Sequence, residues 1–229
     1  MRDAFHDELA LITDQLVELT RLAGSAISRA TTALLDADLA LADSVILADE
    51  QIDEIRQLLD ELSIEILARQ QPVATDLRTV VTSMRMSSDL ERMGDLARHV
   101  AKIARLRYPE SAVPPAMRAS VVQMGQVATR IVAKTGSIIA ARDVKAAQTL
   151  DGDDDEMDTL HRELIASMLS GSWPYGTETA VDMTLIGRYY ERFADHAVSI
   201  ANRVVYLVTG SYTHDQTDHD EPGHAGVSV

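Results

Sequence analysis

The sequence predicts an all-α protein of two pseudo-symmetric three-helix bundles, with six long helices running up and down and a disordered C-terminal tail. Three observations predict it. Apolar residues recur at alternating steps of three and four along most of the chain. Strand-forming aromatics are scarce, with two Phe and one Trp, while Ala, Leu and Asp abound. Finally, Glu91-Arg92-Met93-Gly94-Asp95 returns as Glu191-Arg192-Phe193-Ala194-Asp195, with the same offset at every position.

The first helix follows from Phe5, Leu9, Ile12, Leu16, Leu19, Ala23, Ala26, Ala30 and Leu34, the seam of a helix packed in a bundle. A second stripe runs through Val45, Ala48, Ile52, Ile55, Leu59, Leu62 and Ile66 and ends at Gln70-Gln71-Pro72, because proline disfavours helix in the residue before it. Thr75 and Asp76 are expected N-caps for a third helix from Leu77 to Arg107, closed by Tyr108-Pro109 and Pro114-Pro115. The second half repeats the plan with Ala116 to Arg142, Val144 to Leu169, a break from Ser170 to Gly176, and Thr177 to Thr209. The chain thus divides into a first repeat over 1–110, a second over 114–210 and a tail over 211–229, whose His214, His219 and His224 read as solvated.

A formal charge of -15 and a pI near 4.7 argue against nucleic-acid binding and anionic lipid contact, and no run is long and apolar enough to expect direct membrane insertion. With no cysteine, disulfides and thiolate metal sites are excluded, and a reducing, cytoplasmic setting is the expectation. Asp3, Asp7 and Glu8 stand where a secretory signal would be basic.

Residues four apart lie one above the other on a helix, about 6 Å apart by rise. Four acidic pairs have that spacing in matched places: Asp49/Asp53, Glu91/Asp95, Asp154/Asp158 and Glu191/Asp195. If the second and third helices form a hairpin about Val73, the first two pairs lie side by side; a hairpin about Pro174 does the same for the last two. The angular positions place Glu91, Asp95, Glu191 and Asp195 opposite their apolar stripes and the other four to the side, so each half gathers four acids on an outer face. Like charges so close require a cation. Arg98 and Arg188, each three residues from an acid, offer one answer, and a bound metal offers the other. All-oxygen ligation suits Mg, Mn, Ca or Fe better than copper or structural zinc. His99 and His196 are read as surface or hydrogen-bonded histidines, His161 as a helix-surface residue, and Met84, Met86 and Met93 as core filling.

Gln71-Pro72-Val73-Ala74-Thr75-Asp76-Leu77-Arg78 before a helix bearing Glu91-Arg92-x-Gly94-Asp95, followed by Glu191-Arg192-x-x-Asp195, resembles the PhoU family of phosphate-transport regulators across about residues 3 to 212. The second copy departs from the pattern, with Ala194 for Gly94 and Trp173-Pro174-Tyr175-Gly176 at its turn. The resemblance implies a homodimer with carboxylate-bound multinuclear metal, Fe, Mn, Mg or Zn, on the four pairs. It also implies negative regulation of phosphate uptake and starvation signalling, through the phosphate ABC transporter ATPase and a sensor histidine kinase.

No phosphate loop, dinucleotide fingerprint or serine nucleophile elbow is present, no catalytic residue is nominated, and the chain is read as a non-enzyme. The alternatives are a structural or chaperone-like helical scaffold without metal and a di-iron carboxylate enzyme. The latter's Glu-x-x-His motif is approached only by Asp158-Thr159-Leu160-His161.

Overall fold

The computed structural model describes residues 2–171 and 173–211. These form seven α-helices and one short 3-10 turn: α1 (Arg2–Asp36), α2 (Leu39–Gln70), α3 (Ala74–Arg107), the turn Pro115–Met117, α4 (Arg118–Ala141), α5 (Val144–Gln148), α6 (Leu150–Leu169) and α7 (Gly176–Thr209). The expected tail lies, beyond Ser211, outside the described residues, as do His214, His219 and His224. No helix among the described residues is long and apolar enough to cross a membrane.

The duplication extends to the caps. Ala37 and Arg142 both adopt left-handed backbone, with φ of 50° and 51°, and each precedes an aspartate that caps the next helix. Asp38 Oδ1 accepts from the Leu41 N–H at 2.9 Å, and Asp143 Oδ1 from the Ala146 N–H at 3.0 Å. Two expectations are corrected. The helix expected over Val144 to Leu169 is split at Thr149, whose N–H bonds the Ala146 carbonyl in a tightened, 3-10-like turn. Lys134 fixes that junction by donating to the Thr149 hydroxyl at 2.9 Å. The third helix starts at Ala74 rather than Leu77, with Val73 as N-cap and no capping side chain, so Thr75 and Asp76 lie within its first turn.

One continuous apolar core draws buried side chains from the helices of both halves. Phe5, Leu9, Ile12, Leu16, Leu19, Ala23, Ala30 and Leu34 are buried as the α1 periodicity predicts, whereas Ile27 takes the seam position expected of Ala26, which is half-buried. The halves join through α1 on α4 and α3 on α7. Both crossings are antiparallel: Thr20 meets Gly136 while Thr31 meets Gly125, and Arg78 reaches Leu207 while Arg107 reaches Asp182. Gly125 and Gly136 permit the first approach, since a Cβ at either would stand 2.6 Å from a threonine side-chain atom. Thr31 also shares a 2.6 Å hydrogen bond with the wholly buried Tyr190 of α7.

Charge fixes the second crossing. Arg107 forks onto the buried Asp182 at 2.5 and 3.1 Å, and Asp89 takes His196 at 3.1 Å and Arg203 at 2.7 Å. Burial alone would raise the Asp89 carboxyl, but its bonds from His196 and Arg203 prevail and hold it below the usual range. With α1, α3, α4 and α7 occupied in these contacts, α2 and α6 form the two flanks, each paired in a hairpin with the long helix that follows it.

Candidate functional site

Both hairpins bring together the acids that the sequence nominates. In the first, Asp49 and Asp53 of α2 face Glu91 and Asp95 of α3, and their mutual charge raises the affinity of Asp49 for a proton. In the second, Asp158, Asp195 and Glu191 act likewise on Asp154.

Asp49 corrects the expectation of an outer face. It is 5% exposed and occupies the seam between Val45 and Ile52, while Ala48, assigned to that seam from sequence, is exposed. The reason lies across the hairpin. Gly94 has no side chain, and a Cβ there would stand 2.8 Å from Ile52 Cδ1 and 3.1 Å from Asp49 Oδ1, so α3 closes directly over this part of α2. Arg98 supplies the charge that makes the burial tolerable. Its Nη1 lies 2.6 Å from Asp49 Oδ2 and its Nη2 donates to Asp95 Oδ1, so one guanidinium ties the two helices. The pair with Asp49 is close but off hydrogen-bond alignment, leaving Asp49 Oδ2 and Arg98 Nε without hydrogen-bond partners. Burial pushes Asp49 up to about 6 despite Arg98, with Asp53, Asp95 and Glu91 adding to the rise. Glu91 is raised by burial and by Asp95, against the pull of Arg92 and Arg56.

The second group is built differently. Burial, then Asp158, Asp195, Glu191 and Asp151, push Asp154 up to about 7. Glu191 is raised by burial and by Asp195, and moderated by Arg188, which is ion-paired to it, and by His161. Asp154 Oδ1 and Glu191 Oε2 are buried with no hydrogen-bond partner. Close helix approach here occurs at Gly187, one turn away, where a Cβ would stand 2.7 Å from Leu164 and 3.1 Å from the ring of His161. His161 therefore faces α7 beside Glu191 instead of lying on the open surface. The sequence signal for it was Gly187 opposite.

His99 and His196 are satisfied elsewhere. His99 Nδ1 is 2.6 Å from the Asp95 carbonyl and its ring packs on Tyr189, and His196 serves Asp89. Met86 and Met93 are buried and Met84 is half-buried.

The donor chemistry of both groups is all oxygen, which suits a hard cation. Among the described residues, no three His, Asp or Glu side chains stand in position to hold a metal ion together. Buried carboxylate oxygens without hydrogen-bond partners occur in both groups, Asp49 Oδ2 in the first and Asp154 Oδ1 and Glu191 Oε2 in the second.

Comparison with known proteins is consistent with this duplicated arrangement. The PhoU domain family model matches the chain twice, over residues 16–104 and 121–204. The phosphate-specific transport system accessory protein PhoU homolog 2 of Mycobacterium tuberculosis is 43% identical over 212 residues, covering 93% of this chain and all of the relative. PhoU homolog 1 of Mycobacterium leprae is 42% identical, covering 95% of this chain and 98% of its own. The crystal structure of PhoU from Pseudomonas aeruginosa superposes with a TM-score of 0.81 at 32% identity, over 90% of this chain and 100% of that one. That of the phosphate transport system regulatory protein PhoU from Streptococcus pneumoniae gives 0.82 at 26%, over 91% and 98%. Two matching halves, with coverage of nearly the whole chain, establish that this protein belongs to the PhoU family.

Proposed function

We propose that this protein is a cytoplasmic accessory regulator of phosphate transport, acting by contact with protein partners and not by catalysis. The observation that carries the reading is the extended likeness, in sequence and fold, to accessory and regulatory proteins of phosphate transport. Its partners on this reading are the phosphate ABC transporter ATPase and a sensor histidine kinase, it works as a homodimer, and its effect is negative. The acidic surface supports a protein-contact role, since with a formal charge of -15 it repels nucleic acid and anionic lipid.

The carboxylate groups extend the proposal to metal. A hard divalent or trivalent cation, Mn, Mg or Fe ahead of Zn, would neutralise the repulsion within a group and cross-link the hairpin's two helices. On this reading the residues that would hold it are Asp49, Asp53, Glu91 and Asp95 in the first group and Asp154, Asp158, Glu191 and Asp195 in the second. What the chain's own residues do is present a hairpin face whose stiffness depends on how that charge is met. A metal-free scaffold is the second reading, favoured by the arginine contacts of Arg98 and Arg188.

Deletion of the gene in its native host, followed by assay of phosphate uptake and a starvation-responsive reporter in abundant phosphate, tests the function. The expected result is derepression of both, reversed by the wild-type gene. Unchanged uptake and reporter activity would overturn it.

A further inference from the structure

The start of α3 and the end of α7 enclose a basic groove on a molecule that is otherwise strongly acidic, with 36 Asp and Glu against 21 Lys and Arg. Thr75, Leu77, Arg78, Val81 and Arg85 of α3 line it together with Tyr206 of α7, around a cavity of about 380 Å³. No carboxylate among the described residues lines it. Arg78 and Arg85 are seven residues apart, so both guanidiniums rise from one face of α3, about 10 Å apart along its axis. The partners of Arg78 are neutral: it donates to the Leu207 carbonyl at 3.1 Å and stands 5.8 Å from the centre of the Tyr206 ring.

The chain leaves α7 at the edge of this groove. Gly210, at φ 81°, turns the backbone out of the helix, and Arg78 Nη1 would lie 2.7 Å from a Cβ placed there. The residues that follow Ser211 therefore start beside Arg78. Residues 212–229 carry Asp215, Asp218, Asp220 and Glu221 and no Lys or Arg, and they lie past residue 204, where the family match ends. Extended chain advances about 3.3 Å per residue, so Asp215 reaches up to about 13 Å from Ser211 and Asp218 follows about 10 Å later, the spacing of Arg78 and Arg85.

We propose that residues 212–229 are the occupant of this groove: the acidic segment turns back along α3 and sets Asp215 and Asp218 against Arg78 and Arg85 of its own chain. The acidic remainder of the surface repels such a segment and leaves this basic face as its place of contact. Exposed ion pairs are individually weak. The contact draws instead on the high effective concentration that a short tether gives, and it stays exchangeable. An acidic segment of a partner that used the same groove would have to displace it.

The chain has no cysteine, so Gly223→Cys in the full chain provides a single site for a nitroxide spin label, read by paramagnetic broadening of backbone amide signals. The amides of residues 75–85 are expected to broaden. The broadening should be lost when Asp215, Asp218 and Asp220 are changed to Asn and Glu221 to Gln, and largely lost in Arg85→Gln, whose side chain is exposed. It should also fade as NaCl rises from 0.1 to 1 M, which shortens the screening length from about 10 to about 3 Å. Broadening that survives neutralisation of the four acids would mean that the segment stays near by tethering alone, and would overturn the proposal. Broadening centred away from α3 would overturn it as well. A mixture of spin-labelled chain with isotope-labelled chain lacking the nitroxide separates contact within one chain from contact between two. Broadening of residues 75–85 of the second chain would assign the groove to another copy and contradict the proposal.

Discussion

The α2–α3 and α6–α7 hairpins carry the same four acids in the same register, and a few substitutions around them give opposite electrostatics. Gly94 lets α3 settle on Asp49, and Arg98 compensates it. Where the second copy has Ala194 and Val198, the close approach moves to Gly187 and the acids are left facing one another. The lesson is that a buried carboxylate is set less by its own helix than by whether the facing helix offers a gap and a countercharge.

Removing that countercharge should have the largest effect. Arg98→Ala leaves Asp49 buried beside three other acids and is expected to cost about 3 kcal/mol, read from urea unfolding. The loss should be greater at pH 8 than at pH 5, where Asp49 can take up a proton. If Arg98→Ala and Val198→Ala cost the same, the contrast between the hairpins is broken.

Next comes the gap. Gly94→Ala must push aside Ile52 and Asp49, 2.8 and 3.1 Å from the new Cβ, at a cost of about 1–3 kcal/mol by overpacking. The equivalent position already holds a buried alanine. Ala194→Gly should therefore cost only about 1 kcal/mol, chiefly through helix propensity. A neutral Gly94→Ala would show that α3 can lift off Asp49.

The smaller effect concerns protons. Asp154 is raised to about 7 in the folded protein, against about 3.9 for an unfolded aspartate. The folded state therefore binds more protons than the unfolded state between these values, and stability from this group is full below about 4 and lost as pH rises through 7. Asp154→Asn should flatten that part of the pH profile in metal-free buffer and raise Tm at pH 8, by about 2–4 °C for each kcal/mol recovered. An unchanged profile would place Asp154 in a more solvated setting.

Much of this was legible in the sequence. The α1 seam, except for Ile27 in place of Ala26, the hairpin plan and the pairing of Asp49/Asp53 with Glu91/Asp95 follow from periodicity and equal rise. Hydropathy along α2 favours Ala48 over its neighbour Asp49 for the seam. Helical phase alone tolerates either residue, and only Gly94 and Arg98 on the facing helix decide between them. The break at Thr149 was foreshadowed by the weak helix formers that follow it, Gly152 among a run of aspartates, yet the periodicity continues across it. Arg98 beside Asp95 could be read from spacing along one helix. Its reach to Asp49 required the distance between two helices, which no local pattern encodes.

The most direct test of unequal charge compensation is urea unfolding of Arg98→Ala and Arg188→Ala side by side at pH 8. The account predicts a loss of about 3 kcal/mol for Arg98→Ala, which strands a buried aspartate, and of about 1 kcal/mol or less for Arg188→Ala, whose partner is met from the exposed side. Equal losses would contradict it.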